Sequence, residues 1–88
     1  MKLKEKLNRL SVTIFNDEYV IKGQADESHI EKVSVYVDRM MKQISQKNPD
    51  LSPKQLAVLT ALNTTDELLK LQENYDELIK LLDEADNK

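Results

Sequence analysis

The sequence predicts an α+β fold. A small head made of a β-hairpin and a helix is followed by a long C-terminal helix, which forms a coiled-coil stalk in a homo-oligomer. Three patterns predict this: β-branched residues alternate after Arg9, apolar residues recur at helical spacing from Ile30 to Ile44, and leucines follow Pro53 in a stretch without glycine or proline up to Ala85. A chain of 88 residues is one small domain with little core unless further copies enlarge it.

The N-terminal part predicts a lead-in followed by a hairpin. Residues 1–8 are charged and have no apolar stripe, so a flexible lead-in is expected. From Arg9 the side chains alternate, with one face formed by Leu10, Val12 and Ile14 and the other by Ser11, Thr13 and Phe15. Asn16 to Glu18 has turn chemistry, and Tyr19 to Lys22 is again extended until Gly23. Such a hairpin needs a helix or a partner chain to cover it.

A first amphipathic helix is predicted after the hairpin. Asp26 is the preferred N-cap, although Ser28 and Glu31 form a competing capping box. The helix must end before Pro49, because the residue before a proline avoids the helical region. Its apolar face consists of Ile30, Val33, Val37, Met40 and Ile44, flanked by Tyr36 and Met41.

The second helix has a strong start signal. Ser52 fits the N-cap, Pro53 the first helical position and Gln55 the capping box, and Leu51 and Leu56 form a hydrophobic staple. A helix of about 33 residues would be roughly 50 Å long, and a compact domain of this size is only about 30 Å across. The alternative is a break near residues 63–65 and a return along the same chain, but no turn residue supports it.

The two halves of the second helix are expected to have different partners. The front half is expected to pack on the first helix and the hairpin through Leu56, Val58, Leu59, Ala61, Leu62 and Leu69. The back half has an a/d seam formed by Leu68, Leu71, Tyr75, Leu78 and Leu82, continued by Ala85 and widened by Leu69, Ile79 and Leu81. Burying each large apolar side chain is worth about 1.5–3 kcal/mol, so the seam predicts oligomerisation. The sequence therefore divides into the lead-in 1–8, the head 9–65 and the stalk 66–88.

The composition argues against a catalytic or metal-binding function and against binding to polyanions. The chain has no cysteine, one histidine (His29) and one glycine (Gly23), so no metal site, cofactor site or phosphate loop is expected, and an enzyme is not predicted. Residues 66–86 contain eight acidic and two basic residues and should repel nucleic acid and anionic membranes. With no signal peptide and no spanning segment in the sequence, we expect a cytoplasmic protein.

Several stretches resemble the ZapA family of bacterial cell-division proteins. They are the hairpin from Val12 to Gly23, the helix face from Val37 to Ile44, the Asn48-Pro49 loop and the run from Leu56 to Asn63. The resemblance covers about residues 9–82. It implies a homodimer that binds FtsZ, the tubulin-like division GTPase, and that cross-links its protofilaments into the ring at midcell.

The resemblance also implies functional residues and assembly. Charged head residues contact FtsZ in this family, and the positions that could serve here are Arg9 and Lys22. Longer members join two dimers through antiparallel stalks into a tetramer, whereas this tail ends soon after Leu82, so dimer and tetramer both remain open. The alternative function is a DNA-binding dimer of the ribbon-helix-helix kind. This alternative is disfavoured because the sequence predicts two strands where that fold has one, and because the chain has a net charge of −3 and only two arginines.

Overall fold

The structure is a computed structural model that describes residues 7–86. Two antiparallel strands, β1 (Asn8–Ile14) and β2 (Asp17–Gly23), are followed by α1 (Glu27–Lys47) and by the long α2 (Pro53–Asp86). This order confirms the predicted hairpin, helix and long second helix. The strand β1 begins one residue earlier than predicted, and most of the predicted lead-in, residues 1–6, lies outside the described residues.

The hairpin turn is tighter than predicted. Phe15 and Asn16 form it, with φ of 49° and 72°, and β2 begins at Asp17. The prediction of a turn over Asn16–Glu18, with Phe15 on a strand face, is therefore wrong. Two-residue hairpin loops favour positive φ at both central residues because that twist matches the flanking strands, and asparagine tolerates it well.

The hairpin tip is attached to α1. The backbone N–H of Phe15 donates a hydrogen bond of 2.8 Å to Oδ1 of Asp38. The other carboxylate oxygen, Oδ2, lies 3.0 Å from Nζ of Lys42, one helical turn further along. These contacts fix the left-handed turn against the middle of the helix.

Both ends of α1 agree with the prediction from the sequence. Asp26 is the N-cap residue, although its side chain makes no capping hydrogen bond. The helix ends at Lys47, and the backbone N–H of Asn48 donates to the carbonyl oxygens of Ile44 and Ser45 at 3.0 and 3.2 Å. The side-chain amide of Asn48 also donates to Ile44 at 3.1 Å.

The predicted capping box opens α2. The backbone N–H of Ser52 donates to Oε1 of Gln55, and the backbone N–H of Gln55 donates to Oγ of Ser52, both at 3.1 Å. From Pro53 the helix continues for 34 residues without interruption. The alternative of a break near residues 63–65 is therefore wrong.

The core is small and lies where α1 meets β1 and α2. Its buried apolar residues are Val12, Ile30, Ile44 and Leu56. The buried hydroxyls of Ser34 and Thr60 donate to the carbonyl oxygens of Ile30 and Leu56, each at 2.8 Å, so neither is left unsatisfied.

The expected packing of the front half of α2 is only partly correct. Leu56 is 2% exposed, but Val58, Leu62 and Leu69 are 53%, 62% and 52% exposed, and Ala61 is also exposed. Successive helical residues rotate by about 100°, so a helix that turns Leu56 and Thr60 inward carries Val58 and Leu62 on its far side. Within residues 7–86, α2 packs on α1 and makes no comparable contact with the hairpin.

The chain is extended. Its radius of gyration is 18.3 Å and its principal dimensions are 55 × 49 × 17 Å, whereas a compact chain of this length has a radius of gyration of about 12 Å. The thin dimension accommodates about two packed layers, since packed helix axes lie roughly 8–10 Å apart. The back half of α2 therefore extends away from the small core.

Candidate interaction surfaces

The hairpin brings the two predicted FtsZ-contact residues together. In the register of the sheet Arg9 lies directly opposite Lys22, and both side chains are exposed. Side chains at directly opposed positions have Cβ atoms about 4.5–5.5 Å apart, so two positive charges are adjacent. Among residues 7–86 neither charge belongs to an ion pair.

The alternation of the strands determines what surrounds this basic pair. Leu10, Val12 and Ile14 lie on the face of β1 that is at least partly covered, and the opposite face of the hairpin is exposed throughout. The further pairs on that outer face are Ser11 with Val20 and Thr13 with Glu18. Glu18 lies at the turn end and the basic pair at the open end, so the face has a positive end suited to an acidic partner surface.

The seam is a second uncovered surface. Its five large residues, Leu68, Leu71, Tyr75, Leu78 and Leu82, are exposed by 53% to 67%. Ile79 and Leu81 are exposed beside them. Such a continuous apolar stripe on a projecting helix marks a site of protein association. The exposed Asp66–Lys70 ion pair, 3.0 Å long, lies beside the first residues of the seam and contributes little to stability.

One hydrogen bond connects α1 to α2 close to the start of the predicted stalk. The hydroxyl of Tyr36 donates to Oε1 of Glu67 at 2.7 Å. This bond to a carboxylate raises the pKa of Tyr36, because the acceptor favours the protonated phenol, and the negative charge of Glu67 acts in the same direction. This contact could not be predicted from the sequence, since the partners are 31 positions apart and no local pattern relates them.

Among residues 7–86, Asp38 is the second group with a shifted pKa. The hydrogen bond from the Phe15 backbone lowers the pKa of Asp38, and the hydrogen bond from Lys42 lowers it further. Both donors stabilise the charged carboxylate, so Asp38 is ionised while it holds the hairpin tip. Its role is structural, because it lies at a helix–turn contact and is not grouped with other acids.

No metal-binding group of side chains is found in the described part of the chain. His29 is exposed in the first turn of α1, and residues 7–86 contain no group of three histidine, cysteine, aspartate or glutamate side chains that could hold a metal ion. Over the same residues, neither helix has a stretch long and apolar enough to cross a bilayer.

Comparison with known proteins identifies the family. The sequence model of the family described as "Cell division protein ZapA" matches residues 10–88. A cell division protein ZapA of Geobacillus sp. (strain WCH70) is 42% identical over 78 residues, which cover 89% of this chain and 90% of that protein. The corresponding protein of Geobacillus kaustophilus (strain HTA426) is 46% identical over 70 residues, covering 80% of this chain and 77% of that protein.

A solved structure agrees in fold. The chain is similar to a ZapA mutant dimer from Geobacillus stearothermophilus, with a TM-score of 0.72 and 38% identity over 93% of this chain and 95% of that one. The hairpin, the capped helix and the long α2 are therefore matched in sequence and in structure over almost the whole length. This chain belongs to the ZapA family of cell division proteins.

Proposed function

We propose that this protein binds FtsZ and cross-links its protofilaments, and so promotes assembly and stability of the division ring at midcell in the cytoplasm. Family membership supports a role in division. The observation that carries the mechanism is the exposed seam on a helix that extends away from the core. In this proposal the protein acts as a connector, without a cofactor and without catalysing a reaction.

The seam accounts for assembly. Leaving five large apolar side chains in water is unfavourable by about 1.5–3 kcal/mol each, so pairing with the same helix of another copy stabilises both. The solved relative from Geobacillus stearothermophilus is described as a mutant dimer. We therefore propose a head over residues 9–65, a stalk over residues 66–88, and a homodimer through them, with two dimers joined into a tetramer as the larger alternative.

The basic pair accounts for the contact with FtsZ. Arg9 and Lys22 form a small positive area that nothing in residues 7–86 neutralises, so an acidic surface on the filament would be attracted to it. Cross-linking then requires one assembly to present two such areas. The second attachment gains from the effective concentration created by the first.

Charge reversal tests the contact. We expect the Arg9→Glu and Lys22→Glu variants to co-pellet less with FtsZ polymers and to keep the oligomer mass of the parent. Each single reversal also replaces two like charges with an opposed cross-strand pair, which stabilises a hairpin by about 0.2–1 kcal/mol. Weaker binding would then not come from a less stable hairpin. Lys54→Glu, an exposed reversal in the first turn of α2, is the matched control and should bind as the parent does. Full co-pelleting by both hairpin variants would contradict the proposed contact.

Charges placed in the seam test the cross-linking. The double variant Leu78→Asp and Leu82→Asp puts unpaired carboxylates where apolar burial is proposed, which is expensive. It should still bind FtsZ, less tightly, but should not bundle filaments in light scattering or electron micrographs. Lys80→Asp changes the same stretch of helix outside the five-residue seam and should bundle normally. Bundling by the double variant at the level of the parent would mean that the stalk is not the connecting element.

A further inference from the structure

A hydrogen bond joins the head to α2 at the point where the packed part of the helix ends. The hydroxyl of Tyr36 on α1 donates to Oε1 of Glu67 on α2 at 2.7 Å. Beyond Glu67 every described residue of α2, from Leu68 to Asp86, is exposed. The bond therefore lies at the boundary between the part of α2 that packs on the head and the part that extends away from it.

The side of α2 that faces α1 is marked by three covered residues. Leu56 and Thr60 are buried and Thr64 is half-buried, and they follow one another at i, i+4 spacing. With about 100° of rotation per residue, Glu67 lies only roughly 20° around the helix from Leu56. Glu67 therefore continues the covered side of α2, but it contacts α1 through a carboxylate and not through an apolar side chain.

The two helices form an antiparallel pair in this region. α1 ends at Lys47 and α2 begins at Pro53, so the short loop between them closes one end of the pair. At about 1.5 Å per residue, Tyr36 is roughly 17 Å from the end of α1, and Glu67 is roughly 21 Å from the start of α2. The hydrogen bond between them thus closes the opposite end of the pair.

Two separated contacts fix the direction of a helix, whereas a single contact only attaches it. Along the helix axis Leu56 and Glu67 are about 17 Å apart, but Leu56 and Thr60, both buried, are only about 6 Å apart. For a given freedom of movement at each contact, the angular freedom of a rigid helix is inversely proportional to this separation. Loss of the Glu67 contact would therefore widen the range of helix directions by about 1.4-fold, if Thr64 becomes the last contact, or by about 2.8-fold, if Thr60 does.

We propose that Tyr36 and Glu67 are positioning residues, which fix the direction in which the stalk leaves the head. A hydrogen bond to a carboxylate is stronger than one between neutral groups. The raised pKa of Tyr36 agrees with a hydroxyl that the carboxylate holds in its protonated form. The bond also acts at the base of a lever. Residues 68–86 extend roughly 28 Å beyond it, so a rotation of about 10° would move the end of α2 by about 5 Å.

The consequence for cross-linking rests on the proposed function, but the positioning itself does not. Where a stalk connects heads that hold FtsZ filaments, its direction determines the distance and the angle between those filaments. Loss of the bond should leave FtsZ co-pelleting and oligomer mass unchanged, and should make the spacing of filaments within bundles less regular in electron micrographs. The decisive measurement is made without FtsZ, so a failure to bind filaments would not affect its result.

Distances between two spin labels measure the direction of the stalk. The natural chain contains no cysteine, so Ser11→Cys on the hairpin and Lys80→Cys on the stalk, both exposed, introduce the labels. Labelled chains are unfolded and refolded with an excess of unlabelled chains, so that each distance lies within one chain. Tyr36→Phe removes only the hydroxyl, and we expect a distance distribution about 1.4- to 2.8-fold wider. Tyr19→Phe, which removes an exposed hydroxyl from the hairpin, is the matched control and should give the parent distribution.

Changes at Glu67 test the other partner of the bond. Glu67→Ala removes the acceptor and should widen the distribution as Tyr36→Phe does, whereas Glu67→Gln retains a carbonyl acceptor and should stay close to the parent. Glu73→Ala removes another exposed carboxylate of α2 and is the matched control. A parent-like distribution for either Tyr36→Phe or Glu67→Ala would overturn the proposal. Loss of helical circular dichroism in Tyr36→Phe would also overturn it, because the bond would then be needed for folding and not for direction.

Discussion

Leu56 is the side chain on which the packing of α2 against α1 depends most. It is the most buried apolar residue of the described chain, at 2% exposure, and lies in the first turn after the Ser52–Gln55 capping box. The substitution Leu56→Ala removes three carbon atoms from this site. The expected result is a large loss of stability without loss of the helix start.

The size of the expected stability loss follows from the burial of the Leu56 side chain. Three methylene equivalents at about 0.8 kcal/mol each correspond to roughly 2.4 kcal/mol. The cavity left behind raises the total to about 3–4 kcal/mol, within the range seen for buried leucine-to-alanine changes. At about 0.05–0.15 kcal/mol per residue, the free energy of unfolding of a chain of this length is only roughly 4–13 kcal/mol. The variant should therefore unfold at a clearly lower urea concentration.

The assay is urea unfolding followed by far-ultraviolet circular dichroism, at equal chain concentration because an oligomer gains stability by mass action. Leu7→Ala is the matched comparison, since it is the same chemical change at a residue that is 58% exposed and lies just before β1. It should cost well under half as much as Leu56→Ala. A loss below about 1 kcal/mol for Leu56→Ala, with an unchanged denaturant slope, would refute the assignment of Leu56 to the core.

Two further predictions concern the hairpin tip. Asn16 has a φ of 72°, so Asn16→Val should destabilise the protein by about 1–2 kcal/mol in thermal unfolding, and Asn16→Gly should be tolerated; equal effects would contradict the left-handed turn. For Asp38, the lowered pKa means that its contribution to stability is present above the ordinary value of 3.8 and is lost as the pH falls through the folded value. Asp38→Asn should therefore be less stable than the parent at neutral pH, and the difference should shrink in denaturation curves recorded below that pH; a constant difference would contradict the contact.

The features predicted correctly from the sequence are those encoded by adjacent residues. Ser52 and Gln55 are three positions apart, and the side chain of each accepts a hydrogen bond from the backbone N–H of the other. The capping box can therefore be predicted without knowing the rest of the fold. Pro49 ends α1 by local steric exclusion. The length of α2 follows from the lack of any residue able to break it.

The incorrect predictions concern features that depend on contacts between residues far apart in the sequence. Turn propensity alone favours Asn16 to Glu18, but the pairing of Leu10 with Ile21 and of Ile14 with Asp17 leaves only Phe15 and Asn16 for the turn. This register also places Arg9 opposite Lys22, which the longer predicted turn would not have done. Leu62 and Leu69 are apolar in sequence, but the side of α2 that meets α1 is set by tertiary packing.

The distribution of apolar residues around α2 has a consequence for how an assembly could work. A helix that packs against one neighbour needs one apolar side, whereas α2 has three: the Leu56 side, the far side with Val58 and Leu62, and the seam with Tyr75. Only the first is covered in the single chain. One partner helix lies along one side, so the other two sides call for two separate contacts. If the seam and the side with Leu62 are covered by different contacts, the double variant Leu78→Asp and Leu82→Asp should still self-associate, and Leu62→Asp should still associate through its stalk. Complete dissociation to a monomer by either change alone would mean that the two sides serve a single interface.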